Sequence, residues 1–153
     1  MNLSYDNFSI DKSEKFRIYK NAVILTEGEW SDSITMSPIV YTKAELEKGA
    51  TNWKSNFLNI DHSFSVDDRI GYVMHPHYDN GAVKGDLHIH RDLQKGKDTI
   101  ERIDCGLVNS ISAELTTNDR YDSDSRKYLA CDLTFLGSAV CLFPAADGTR
   151  IIQ

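Results

Sequence analysis

Apolar residues recur at every second position, or in short unbroken runs, over most of this chain, and that spacing predicts strands. Phe16 to Leu25 reads as a strand entering a core, and Ile39-Val40-Tyr41 as a short apolar run. Phe57 to His62 alternates apolar and polar residues, and Ile70 to Met74 and Ala82 to His90 are strand-like. Tyr78-Asp79-Asn80-Gly81 separates the last two, and Asn-Gly between such runs is the strongest short hairpin signal. Val108 to Leu115 alternates again, Asn118 to Arg126 is a polar turn, and Tyr128 to Phe135 is the returning strand. Ser138 to Phe143 is a last apolar strand, closed by Pro144 and the turn Asp147-Gly148. Two stretches read as helix. Thr42 stands as an N-cap with Glu45 three residues on, a capping box that opens a helix from Lys43 to about Lys48, stopped by Gly49. Asp92 to Ile103 carries Leu93, Ile100 and Ile103 at roughly helical spacing. Residues 1–13 are polar with scattered Tyr5, Phe8 and Ile10 and read as a loose arm, and Glu27 to Ser33 as a polar stretch. With no repeat, linker or low-complexity tract, the expectation is one mostly β (α+β) domain over 1–153, largely antiparallel, with about two helices.

Composition narrows the function classes. A length of 153 residues suits a single core. The formal charge of -6, with no Lys/Arg cluster, argues against a nucleic-acid partner. No apolar run approaches the roughly 20 residues of a membrane helix, so no membrane partner is expected. Met1 to Asp6 lacks the basic start and apolar stretch of a signal peptide, so the protein is expected to stay where it is made. Cys105, Cys131 and Cys141 are odd in number, lack metal-ligand spacing and sit beside apolar residues, which predicts buried free thiols and no cofactor held by them.

All five histidines fall between His62 and His90. His75 with His77, and His88 with His90, are two apart, and on a strand such residues share a face and could chelate one metal. Their third ligand is undefined, and a solvated strand face accounts for them equally. His62 ends an apolar strand beside the turn-like Ser63 to Asp68, a placement that suits a general base. Ser110 and Ser112 lie on one side of the strand they share, which a hydrated face explains as well as a nucleophile does. No Gly-x-Ser-x-Gly elbow occurs, which excludes an α/β-hydrolase arrangement.

Three blocks in order resemble the prohead proteases of tailed phages and their archaeal-virus relatives, a group similar in fold to the herpesvirus assembly protease. The first is Leu58-Asn59-Ile60-Asp61-His62 with Ile70-Gly71-Tyr72-Val73, preceded by Val40-Tyr41 and Trp53. The second is Gly106-Leu107-Val108-Asn109-Ser110-Ile111-Ser112, and the third runs from Leu133 to Val140 and on to Phe143-Pro144-Ala145. Coverage runs from about Phe16 to Ile151. The resemblance implies a β-barrel of the herpesvirus-protease type and a serine endopeptidase with His62 as base and Ser112 as nucleophile. The glycine spacing favours Ser112 over Ser110.

In such relatives a histidine or an acid on the strand after the nucleophile completes a triad, but here that stretch reads Leu136-Gly137-Ser138. Asp132 is the expected third member, with Ser138 or Thr134 as polar substitutes, and a His/Ser dyad if none serves. Arg150 and Arg120 are the candidates for holding the oxyanion. The resemblance further implies capsid and scaffold subunits as substrates inside an assembling procapsid in the host cytoplasm, and self-removal of a C-terminal tail, with Ile152-Gln153 as a trimmed or truncated end. It also carries the expectation of a homodimer or higher oligomer. The competing readings are an inactive protease-fold shell or scaffold component, a metal-binding protein using the four paired histidines, and an unrelated β-barrel binding module.

Overall fold

In the computed structural model, which describes residues 12–31 and 37–153, the period of two read from the sequence is the period of burial in the strand over residues 82–90. From Val83 to Ile89 every second residue is buried and those between are only partly covered. The arm expected over 1–13 lies, up to residue 11, outside the described residues. The strands are β1 (Phe16–Thr26), β2 (Gly28–Trp30), β3 (Ile39–Tyr41), β4 (Trp53–Ile60) and β5 (Arg69–Asp79). They continue with β6 (Ala82–His90), β7 (Ser110–Thr116), β8 (Arg120–Asp122), β9 (Lys127–Leu129) and β10 (Thr134–Cys141). A single turn of helix, α1 (Lys12–Lys15), precedes them, and α2 (Lys43–Gly49) and α3 (Gln94–Asp104) are the two longer helices. Among the described residues no helix is long and apolar enough to cross a membrane.

Six strands form one sheet in the order β1-β6-β5-β4-β10-β7, and β2-β3-β9-β8 form a smaller one. The fold is thus mostly β and largely antiparallel, as expected; in the large sheet only β4 and β10 run parallel. The large sheet curls until its end strands approach. There the late chain bridges them: Val23 and Arg150 exchange backbone hydrogen bonds of 2.8 and 3.0 Å, and Ile151 N donates to Asn109 O at 3.0 Å. Inside the curl, Leu58, Ile70, Leu87, Ile111 and Val140 pack with Ile103 of α3. A second cluster gathers Leu46 of α2 with Val83, Leu133 and Phe135. Trp53 packs against both clusters and stacks on Phe135, ring centroids 4.5 Å apart at 12°.

Local signals held where local chemistry decides. Asn80 and Gly81 take φ of 43° and 84°, the left-handed pair that a type I′ hairpin turn needs between β5 and β6. Thr42 Oγ1 accepts from Glu45 N at 3.4 Å, but the box is half made, because the Glu45 carboxylate accepts from Asp132 N at 3.0 Å instead. The strand expected over Tyr128 to Phe135 is broken. Ala130 N still bonds Val40 O in the small sheet while Phe135 N bonds Asn52 O beside the large one, and Asp132, at φ 53°, turns the chain between them. The stretch read as polar contains β2, whose Glu29 pairs with Val40.

Because Phe135 is fully buried in the second cluster and stacks on the Trp53 that packs against both, Phe135→Ala should lower stability by about 3–5 kcal/mol. Urea unfolding followed by tryptophan fluorescence checks this, and a loss below about 1 kcal/mol would contradict the packing described.

Candidate functional site

Strand β10 lies between β4 and β7, and its register aligns residues of all three. Asn59, Ala139 and Ser112 stand in one row; Phe57, Gly137 and Glu114 two rows away; Ile60, Val140 and Ile111 in the adjacent row on the other side. Leu58, Val140 and Ile111 belong to the core, so by alternation Asn59, Ser112 and Glu114 project from the outer face. Strands β4 and β7 are two spacings apart, about 9.6 Å, too far for ordinary side-chain pairs. Glycine and alanine on the strand between leave that space open, and Asn59 Nδ2 donates to Glu114 Oε1 at 2.9 Å across it.

His62 reaches the same place by a turn. After Ile60 the chain reverses with Ser63 N donating to Ile60 O at 3.0 Å, and Asp61 and His62 take φ of 51° and 56°. These are the angles of a type I′ turn, which usually needs Asn-Gly; a histidine there stores backbone strain, as functional positions often do. Asp61 N donates to Val140 O at 3.0 Å, tying the turn to β10. The imidazole comes back over the sheet, with Nδ1 3.9 Å from Glu114 Oε1. The Glu114 side chain is 18% exposed and that of His62 45%, so the pair is half screened from water. Beyond the turn, Ser63 and Ser65 accept backbone N–H bonds, and Asp68 pairs with Lys95 of α3, which anchors the far end of the loop.

Ser112 is buried, on Glu114's face and one same-face step away, about 6.6 Å along the strand. Ser110 lies a further step on, opposite Cys141. The structure does not bring Asp132 to His62. Trp53 pairs with Phe135 and Ile60 with Val140, so Asp132 sits beyond one end of this strand pair and His62 beyond the other, at least about 16 Å apart along β10. There Asp132 bonds Lys48 Nζ at 3.0 Å and Asn118 Nδ2 at 3.3 Å, and the lysine holds its carboxyl below the usual range. Neither substitute reaches His62. Ser138 is in the Leu58 and Ala113 row, on the inner face and fully buried, and Thr134 accepts from Asn52 at the distant end.

Arg120 belongs to the small sheet, whereas Arg150 is held at the seam beside the start of β7. Among the described residues no three His, Cys, Asp or Glu are placed to hold a metal. His77 bonds the His75 carbonyl, His90 accepts from Asp92 N, and both His88 and His90 pack edge-on against Phe16.

Glu114 and Asn59 are the site residues that no motif marks. Alternation alone would place Glu114 on the face of Ser112, but nothing local tells that β4 lies two strands away. Among the described residues the buried polar side-chain atoms without a partner are Asn59 Oδ1 and Ser138 Oγ. An orphaned acceptor costs about 1–3 kcal/mol, and Asn59 carries that cost at the cluster itself.

A thiol is no rival nucleophile here. Burial, and then the Asp61 carboxylate, push the Cys141 thiol up to about 11, so at pH 8 only about one part in a thousand is thiolate. Iodoacetamide at pH 8 should therefore modify exposed Cys105 and leave Cys141 intact in the folded protein, as read by peptide mass spectrometry. Rapid alkylation of Cys141 would contradict that environment.

No family model matches the sequence, and no curated protein does. A solved structure does match. The chain superposes on the bacteriophage T4 capsid assembly protease with a TM-score of 0.56 at 10% sequence identity, over 85% of this chain and 98% of that one. The likeness is one of fold: this chain has the architecture of a capsid assembly protease.

Proposed function

We propose that this protein is a serine endopeptidase that matures viral capsids, with Ser112 as nucleophile, His62 as general base and Glu114 as the carboxylate that orients His62. The observation that carries this reading is the His62–Glu114 approach on the same face, and at the same end of the sheet, as Ser112. Glu114 takes the place expected of Asp132. With Nδ1 turned to Glu114, an N–H at that atom leaves Nε2 as the acceptor, the tautomer a base requires.

Ser112 Oγ attacks the peptide carbonyl carbon while His62 Nε2 takes its proton. The new C–O bond places negative charge on the carbonyl oxygen, for which Arg150, whose backbone is held at the seam beside the start of β7, is the proposed partner. The imidazolium, steadied by Glu114, returns the proton to the leaving amine as the C–N bond breaks, and water then hydrolyses the acyl-enzyme by the same route. Asn59 fixes the carboxylate, so the base is oriented before substrate arrives. The separation of 3.9 Å exceeds a hydrogen bond, and such contacts tighten when substrate binds. Capsid and scaffold subunits, and a C-terminal tail of the protein itself, are the proposed substrates, cut within the assembling procapsid.

A fluorophosphonate should label the folded chain at Ser112, located by peptide mass spectrometry, and His62→Ala should abolish labelling. Glu114→Gln should slow it by at least about tenfold, toward the ~10⁴-fold loss seen when a triad loses its carboxylate. A label on Ser110 would move the nucleophile. No label on well-folded wild type would favour an inactive shell component, a reading that the depth of Ser112, 7% exposed, also fits.

A further inference from the structure

The loop that turns His62 back over the sheet runs on to Asp68 without burying a single residue. Phe64 is 100% exposed and Val66 73%, and the turn Val66–Asp68 has no buried residue. Hydrophobic packing therefore does not hold the loop in place. A run of polar contacts does. Ser63 N donates to Ile60 O at 3.0 Å, Ser65 N to Ser63 Oγ at 3.1 Å, Asp67 N to Ser65 Oγ at 3.3 Å and Asp68 N to Ser65 O at 3.2 Å. The run ends where the Asp68 carboxylate accepts from Lys95 Nζ. Lys95 first, and then the Ser63 hydroxyl, hold that carboxyl below its ordinary value, so the residue next to His62 is tied to the same anchor.

Lys95 belongs to the first turn of α3. A Cβ at Gly96 would meet His90 O at 2.2 Å, so this turn lies directly against the end of β6, and Ile103 of the same helix is buried in the core. A lysine there opposes the helix dipole, and the first turn of α3 has neither an acidic residue nor a side-chain cap. Asp68 supplies the missing negative charge from the loop. A locally unfavourable residue that finds its partner on the segment beside a candidate site is the kind of conflict that functional positions show.

We propose that Asp68 and Lys95 are positioning residues for His62, acting through the loop and touching neither substrate nor the reacting atoms. The inference rests on the reading of His62 as the base of a serine peptidase. Asp61 and His62 both sit in left-handed backbone, and such strain persists only where the surroundings hold it from several sides. On one side Asp61 N donates to Val140 O at 3.0 Å. On the other, the ion pair of Asp68 with α3 is the loop's tie to a packed element. Without it the turn relaxes toward ordinary backbone, and the ring swings off the face that carries Ser112 and Glu114. Misplacing a reacting group by about 1 Å can cost about a hundredfold in rate. A contact worth little to the fold is thereby worth much to the site.

The test follows fluorophosphonate labelling at Ser112 of the full chain, with amide hydrogen exchange over residues 61–68, in wild type, Lys95→Met, Asp68→Asn and the double variant. Each single variant should lower the maximal labelling rate at least about tenfold, leave the reagent concentration for half that rate unchanged, and speed exchange in the loop. Because all three remove the same contact, the double variant should be no slower than the slower single one. Lys95→Arg should restore labelling to within about threefold of wild type. Lys97→Met takes the same charge from the same helix but has no bond to Asp68, and should leave labelling unchanged. Melting points should move by no more than about 4 °C, as expected for a surface ion pair. Wild type that labels, with both single variants within about twofold of it, would overturn the positioning role and leave the peptidase standing. A loss that Lys97→Met shares, or that Lys95→Arg fails to restore, would do the same. Folded wild type that never labels would overturn the peptidase reading and, with it, the role given to the pair.

Discussion

Where β10 inserts between β4 and β7, its Gly137 and Ala139 leave the outer face of the sheet bare for two rows. That gap lets Asn59 on one strand hold Glu114 on another, and gives the His62 ring a carboxylate to approach. The close pairing with β4 sets its own condition: a Cβ at Gly137 would meet Phe57 O at 2.5 Å, with φ at +144°. A larger residue at 137 or 139 would push the strands apart or stand between the two side chains. The site is thus a property of the sheet's pairing more than of any loop.

The turn at Asp61–His62 belongs to the same arrangement. Strand β4 must end where β10 can still bond Asp61 N, and the chain must reverse at once for the imidazole to return over the face. Two non-glycine residues in left-handed backbone are the cost, about 1–2 kcal/mol each at most for L-residues, and Asp tolerates it better than His. The packing behind the face supplies the rigidity. Ile60, Val140 and Ile111 share one row on the inner side, and the Trp53–Phe135 stack locks the opposite end of the same strand pair.

What could be read in the sequence divides by range. The hairpin at Asn80-Gly81, the cap at Thr42 and the alternation in β6 each depend on residues within a few positions, and all appear as read. His62 and Ser112 came from the order of three blocks, and the register places them at one end of one face. Asp132 shows what that method lacks. It lies where the expected strand breaks, and the parallel pairing of β4 with β10 joins segments about eighty residues apart and leaves no local trace, so nothing in the pattern showed that Asp132 lies at the wrong end. Glu114 was hidden for the same reason, since its partner Asn59 is 55 residues away.

The most direct measurement of the central claim is a crystal structure of the chain inactivated by diisopropyl fluorophosphate. The account predicts phosphorus bonded to Ser112 Oγ, His62 Nε2 within hydrogen-bond distance of that oxygen, and Nδ1 on Glu114, itself still bonded to Asn59. Phosphorus on another residue, or a His62 ring turned to solvent with Glu114 bound elsewhere, would contradict it.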